Sequence, residues 1–294
     1  MRRAISRLRK FWLIVVVVVF SAMVAGRNGL QVPFLESIPP LGLSAALFLA
    51  GIFLLVTPKT ARHEPYVMAA PVRGRWAALN SPGQKLPSHG TRFLGQYAAV
   101  DILRPTDETT PAKIRRAWRG SRPADYPSFG AQVYSMAPGV VKKTSAKATD
   151  HRARNTWQGL LYLMTLEAVI RSLTGDRMIL GNHVIVAHDD GTAAVYAHLR
   201  KDSLTVASGQ RVNTGQQLGE VGNTGNSSEP HLHVHLMDRV NPHAAAGLMM
   251  VWDNITRSEE IEPSLKELAQ EPAKNALRSM PSNGEIFEAH HPGL

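Results

Sequence analysis

Ten residues, EPHLHVHLMD from Glu229 to Asp238, constrain the fold more than any other stretch of this chain. Histidine recurs at 231, 233 and 235, and Leu232, Val234 and Leu236 alternate with it. That period of two predicts a half-buried strand, with the three imidazoles on one face about 6.5 Å apart. A histidine-rich solvent face is one reading. A strand on which two imidazoles converge on a metal ion is the other, and it needs ligands from elsewhere.

No cysteine occurs in the 294 residues, so disulfides and thiolate metal sites are both excluded. Any zinc must then be held by His, Asp or Glu. The formal charge of +10 suits an anionic partner such as lipid headgroups or an acidic wall polymer. No basic cluster interleaved with aromatic residues stands out, which argues against nucleic acid.

The first sixty residues differ in kind from the rest. MRRAISRLRK carries five basic residues and runs into the apolar segment 11–26. Pro33, Pro39 and Pro40 separate it from a second apolar segment, 41–56. Each is slightly short of the roughly 20 residues that span a bilayer comfortably. A membrane hairpin over residues 1–60 is expected, with a cleaved signal peptide as the rival for the first segment. Lys59, Arg62, Arg73 and Arg75 make the far end basic too. The positive-inside rule therefore draws both ends towards the cytoplasm.

Residues 61–255 read as β-rich. GNHVIVAHDDGTAAVYAHL predicts two strands joined at an Asp-Asp-Gly turn. One inserted helix is expected over 156–174, capped by Asn155 or Thr156 and stopped by Gly175. Residues 256–294 read as a polar tail with one short helix near Glu259 to Ala269.

Hydrolysis on zinc needs three protein ligands and one open position. His89, in a Pro/Ser/Gly turn, and Asp101, on a strand, are candidates to join the 231–235 segment. His198 alternates with apolar neighbours in VYAHL. Taken singly these are an ordinary turn residue, a strand-edge charge and a core histidine.

Taken together, the hairpin, the YAHL, the GQQLG step, the GNTG turn and the PHLHVHL strand resemble the lysostaphin/LytM-like zinc metallo-endopeptidases, which cut peptide bonds in peptidoglycan. The resemblance covers about Tyr66 to Ile255. It implies a mostly β fold: an antiparallel β-sheet sandwich or groove of the lysostaphin-like peptidase type, behind the membrane hairpin. It implies Zn²⁺ held by His89, Asp101 and His233, with His198 and His231 as the catalytic imidazoles. The family's upstream ligands are three residues apart, whereas eleven residues separate His89 from Asp101 here. His235 stands where the family more often has Glu or Gln, and is expected behind the ligands or at the surface. Asn182, Asn223 and Glu229 are expected in turn or hydrogen-bonding roles.

The expected activity is a membrane-anchored zinc endopeptidase acting on peptidoglycan from the outer face of the cell membrane, against the charge bias just described. The rival is an inactive module of the same fold that binds wall or activates a partner hydrolase. A lipoyl- or biotin-type carrier is set aside, because no lysine lies between Ser203 and Gly247.

Overall fold

The computed structural model describes residues 1–29, 39–59, 63–162 and 176–291. Its helices are α1 (Arg2–Arg7), α2 (Arg9–Arg27), α3 (Pro40–Leu55), α4 (Trp157–Tyr162) and α5 (Asp176–Leu180). The strands are β1 (Tyr66–Met68), β2 (Gly74–Leu79), β3 (Val100–Leu103), β4 (Gln132–Tyr134), β5 (Gly139–Ser145), β6 (Asn182–His188), β7 (Ala193–Leu199), β8 (Arg211–Val212), β9 (Gln217–Glu220), β10 (Leu232–Met237), β11 (Gly247–Leu248), β12 (Met250–Trp252), β13 (Ile255–Ile261) and β14 (Glu285–Ala289). The fold is mostly antiparallel β.

One ten-stranded sheet dominates, in the order β13-β14-β2-β3-β10-β7-β6-β5-β8, with β11 also paired to β10. The β6–β7 hairpin forms where the Asp-Asp-Gly signal places it, and Gly191 takes φ +85° at the turn. Alternate residues of the central strands go to opposite faces, as a pleated ladder requires. Leu232, Val234 and Leu236 enter the main core with Val100, Ile102, Tyr196, Val184 and Val186. Ile185, Val195, Ala197 and Met237 pack on the other face.

That second face corrects one expectation. β10 is buried along its whole length, not half-buried. The long 89–101 segment folds back over the histidine face, and His235 is fully buried beneath it.

The C-terminal tail is also corrected. Residues 255–289 supply β13 and β14, and β14 pairs with β2 through Phe287 and Trp76, both fully buried. The short helix expected near Glu259 to Ala269 is a 3-10 helix, Pro263–Leu268, preceded by strand residues. Adjacent apolar residues, Ile286 facing one way and Phe287 the other, draw this end into the sheet.

Of the inserted helix, α4 begins after Thr156, whose hydroxyl accepts the Gly159 N–H. Residues 163–175 lie outside the described residues. At the N-terminus, Trp12 near the start of α2 packs on Phe53 near the end of α3, so the two helices run antiparallel. α2 is long and apolar enough to cross a membrane. The 16-residue α3 reaches only about 24 Å. Both expose large apolar side chains, among them Phe11, Phe20, Phe48 and Leu55.

Candidate metal centre

Backbone register builds the centre of the site. Antiparallel pairing sets His233 of β10 opposite Asp101 of β3 on one side and Ala197 of β7 on the other. Directly opposed side chains on one face of such a pair are near neighbours. His233 Nδ1 lies 2.8 Å from Asp101 Oδ1.

His89 arrives from a loop. Its Nε2 is 3.1 Å from Asp101 Oδ2, so the eleven intervening residues loop out and return the carboxylate to the imidazole. His89, Asp101 and His233 bring their ligand atoms within 4.8 Å of one another. Asn80, at the end of β2, donates to Asp101 Oδ2 at 2.8 Å. Asn80 has φ +46°, a conformation that asparagine tolerates better than most residues. The sequence reading missed it. The cross-strand pair Leu79–Asp101 puts it within reach, a register that no local motif announces.

His198 is turned into the site by an irregularity. Tyr196 and Leu199 both face the main core, while Ala197 faces the other side. Strict alternation would send His198 to the core and Leu199 to the site. The β6–β7 register shifts between Asn182 and Val184, and His198 takes φ +62°. Such a bulge re-aims one side chain, here the imidazole. A non-glycine residue at that φ carries strain, and such residues gather at functional sites.

The GNTG turn fixes this imidazole. His198 Nδ1 donates to the Thr224 carbonyl at 2.8 Å, and Thr224 Oγ1 accepts the Asn182 N–H and donates to Leu199 O. The turn sits so close to Gly181 that a Cβ on Gly181 would come within 2.5 Å of Thr224. His231 Nδ1 donates to the Glu229 carbonyl at 2.8 Å, and its Nε2 lies 3.6 Å from Asp101 Oδ1. The His198 and His231 rings are 4.9 Å apart. Asn182 and Asn223 do hydrogen-bond within the surrounding loops, Asn182 pairing twice with the Ala148 backbone and Asn223 donating to His151 O.

Tautomers follow from these partners, because a carbonyl oxygen only accepts. His198 and His231 carry their protons on Nδ1, which leaves each Nε2 unprotonated. Ser88 spends its hydroxyl proton on Ala99 O at 2.6 Å, so its oxygen accepts from His89 Nδ1–H. His89 Nε2 is then a lone pair facing a carboxylate oxygen. His235 Nε2 must donate to Leu94 O, so its Nδ1 accepts from His233 Nε2–H, 3.0 Å away. His233 Nδ1 is therefore also a lone pair facing Asp101. Acceptors aimed at acceptors in a buried site repel unless a cation lies among them. The donor set of two imidazoles and one carboxylate, without thiolate, fits zinc with an open position.

Electrostatics keep Asp101 ionised. Burial pushes its carboxyl up, but the neighbouring imidazoles, His89 and His231 and then His233, outweigh it. The carboxyl sits well below the usual carboxylate range. Burial, followed by the neighbouring imidazoles, holds His198 well below the ordinary histidine value. Burial likewise lowers His233. Asn80, Gln96, Leu180 and Ser228 help to line the cavity over these groups, about 360 Å³ in volume.

Away from this centre, KIRRAWRGSR (113–122) gathers five basic residues around a single aromatic, Trp118, which is 88% exposed.

Comparison with known proteins places residues 165–244 in Peptidase family M23. That match includes His198, His231 and His233; His89 and Asp101 lie before it. Peptidoglycan DD-endopeptidase ShyA of Vibrio cholerae is 39% identical over 70 residues, 24% of this chain and 16% of that protein. Cell division protein DipM of Caulobacter vibrioides is 39% identical over 79 residues, 27% of this chain and 13% of that protein. The chain thus spans less than a fifth of the length of either relative. Among solved structures, the catalytic domain of lysostaphin from Staphylococcus simulans aligns at TM-score 0.29 and 18% identity, over 51% of this chain and 73% of that one. Residues 165–244 thus match the Peptidase family M23 domain.

Proposed function

We propose that this chain is a zinc-dependent endopeptidase that hydrolyses peptide bonds in peptidoglycan, with His89, Asp101 and His233 as metal ligands and His198 and His231 as the catalytic imidazoles. The observation that carries the proposal is the convergence of unprotonated His89 Nε2 and His233 Nδ1 on the Asp101 carboxylate. Zinc bound there would supply Lewis acidity to the scissile carbonyl and to water at neutral pH.

The protein's own groups account for the rest. His198 and His231 present unprotonated Nε2 atoms to the cavity, and one of them can take the proton of the attacking water at Nε2 and return it to the departing amine. Their Nδ1–H bonds to Thr224 O and Glu229 O hold both rings in that tautomer. The same carbonyls stabilise an imidazolium once it forms. The partially enclosed cavity limits bulk water around the reacting bond. The name of the relative ShyA supports peptidoglycan as the substrate class.

The proposal extends to location. The α2–α3 hairpin anchors the chain in the membrane, residues 61–255 together with the following strands form the catalytic unit, and that unit acts on the outer face. Arg3 pairs with Asp238 and donates to Ala244 O at 2.7 Å, Ser6 donates to His243 O, and Arg9 lies over the Phe93 ring. These contacts support a reading in which the N-terminus and the catalytic unit share one side of the membrane. They also engage two of the cations that the positive-inside rule counts as a cytoplasmic signal.

The test is release of free amines from purified peptidoglycan by the zinc-loaded chain, with His231→Ala and Asp101→Ala alongside. Release that requires both residues and stops with a chelator is expected. Bound zinc without release from any wall type would favour the inactive module. Reporter fusions at Arg62 test sidedness, and a purely cytoplasmic signal would contradict a wall-facing role.

A further inference from the structure

β10 carries a third histidine that neither the ligand set nor the proton transfer uses. His235 is fully buried, on the same face as His233, and both of its nitrogens are engaged. Its Nε2 donates to Leu94 O at 3.0 Å, and its Nδ1 accepts from His233 Nε2 at 3.0 Å. Leu94 belongs to the segment that loops between His89 and Asp101, and it holds φ +55° with Gly95 at +80°. A Cβ on Gly95 would lie 2.6 Å from the Met237 side chain, so the segment is pressed directly onto β10.

We propose that His235 is a positioning residue: its imidazole carries the fixed direction of the Leu94 carbonyl to His233, holding His233 with Nε2 protonated and the Nδ1 lone pair turned to the metal. This rests on the metal reading above. The Leu94 carbonyl can only accept, so it fixes the proton of His235 on Nε2. The bare Nδ1 of His235 in turn fixes the proton of His233 on Nε2. Each step leaves one tautomer, and the far end of the relay is the lone pair that a cation needs. Outer partners of this kind orient ligating imidazoles and raise their basicity. A simple space-filling role would leave those hydrogen bonds without consequence.

The experiment uses the full chain in detergent micelles, with His235→Leu and His235→Gln. Leucine keeps the bulk and removes both hydrogen bonds. Glutamine keeps an acceptor for His233 and a donor for Leu94 O. Competition with a chromophoric chelator measures zinc affinity, and thermal unfolding reports on the fold. His235→Leu is expected to bind zinc about 10- to 100-fold more weakly. His235→Gln is expected to recover most of that loss. On the wild-type chain, two-bond ¹⁵N–¹H correlation should show both His233 and His235 protonated at Nε2.

Equal zinc affinity in His235→Leu and wild type would overturn the proposal. So would a glutamine variant no better than leucine, or a His235 found protonated at Nδ1. The last measurement needs no variant, so it decides even where His235→Leu fails to fold. A wild-type chain that takes up no zinc overturns the metal reading itself, whereas the other outcomes overturn only the role of His235.

Discussion

The two halves of the site are held by different physics. Asp101 and His233 sit on adjacent strands, and their meeting is a consequence of ladder register, fixed by the apolar residues on the opposite face. His89, His198 and His231 depend instead on hydrogen bonds to loop groups: Ser88 Oγ, Thr224 O, and Glu229 O with Ser227 Oγ. A strand pair shifts only if the sheet reorganises. A loop-held imidazole can be released by changing one neighbour. The strand half therefore suits the charge and one ligand of the proposed metal site, and the loop half, which adds His89, suits fine aim.

Removing the strand-held carboxylate should have the largest effect. Asp101→Ala leaves His89 and His233 without their shared anion, so metal affinity should fall by more than the about 10- to 100-fold that follows loss of an outer partner. Peptidoglycan cleavage should become undetectable in the amine-release assay. Cleavage that survives in this variant would break the proposed division between the halves.

His198→Ala touches the loop half without touching a proposed ligand. Zinc uptake should be unchanged, while the turnover rate falls about 10²- to 10⁴-fold, the range typical of a lost proton-transfer group. Metal analysis beside single-turnover kinetics separates the two quantities. Zinc lost together with activity would make His198 a ligand instead.

A smaller change should follow from Ser88→Ala, which removes the acceptor that fixes His89 Nδ1–H. Zinc affinity should weaken towards the lower end of the about 10- to 100-fold range. Asn80→Ala, which removes a hydrogen bond to the carboxylate rather than to an imidazole, offers the matched comparison. Chelator competition reads both.

The mildest perturbation is acid. Burial lowers the folded-state values of His188, His198 and His233 from the ordinary histidine value of 6.5. Between that value and the folded ones the unfolded chain binds more protons, so the native state loses ground as pH falls. Stability of the metal-free chain should be full above about pH 6.5 and decline below it. Thermal unfolding of metal-free protein across pH 5–8 checks the sign. Stability that rises as pH falls through this range would contradict neutral buried histidines.

The same contrast explains what could be read in advance. Strand alternation and the Asp-Asp-Gly turn are written in consecutive residues, so β6, β7 and β10 were legible. The meeting of His233 with Asp101 was reachable only through resemblance, because 131 residues separate them. Asn80 left no local trace, since its place depends on β2–β3 register. Nor could the His198 bulge be seen: VYAHL reads as plain alternation, and only the core positions of Tyr196 and Leu199 reveal the shift. The C-terminal strands were hidden for a related reason. Their charged residues look like a tail until β2 provides a partner for Ile286 and Phe287.

The central claim is that three residues hold the metal and two do not. Zinc content after equilibrium dialysis tests it most directly, using the full chain and alanine variants at 89, 101, 198, 231 and 233. The account predicts one zinc per chain for the wild type and for the variants at 198 and 231, and little or none for those at 89, 101 and 233. Full retention by Asp101→Ala, or loss in His198→Ala, would contradict it.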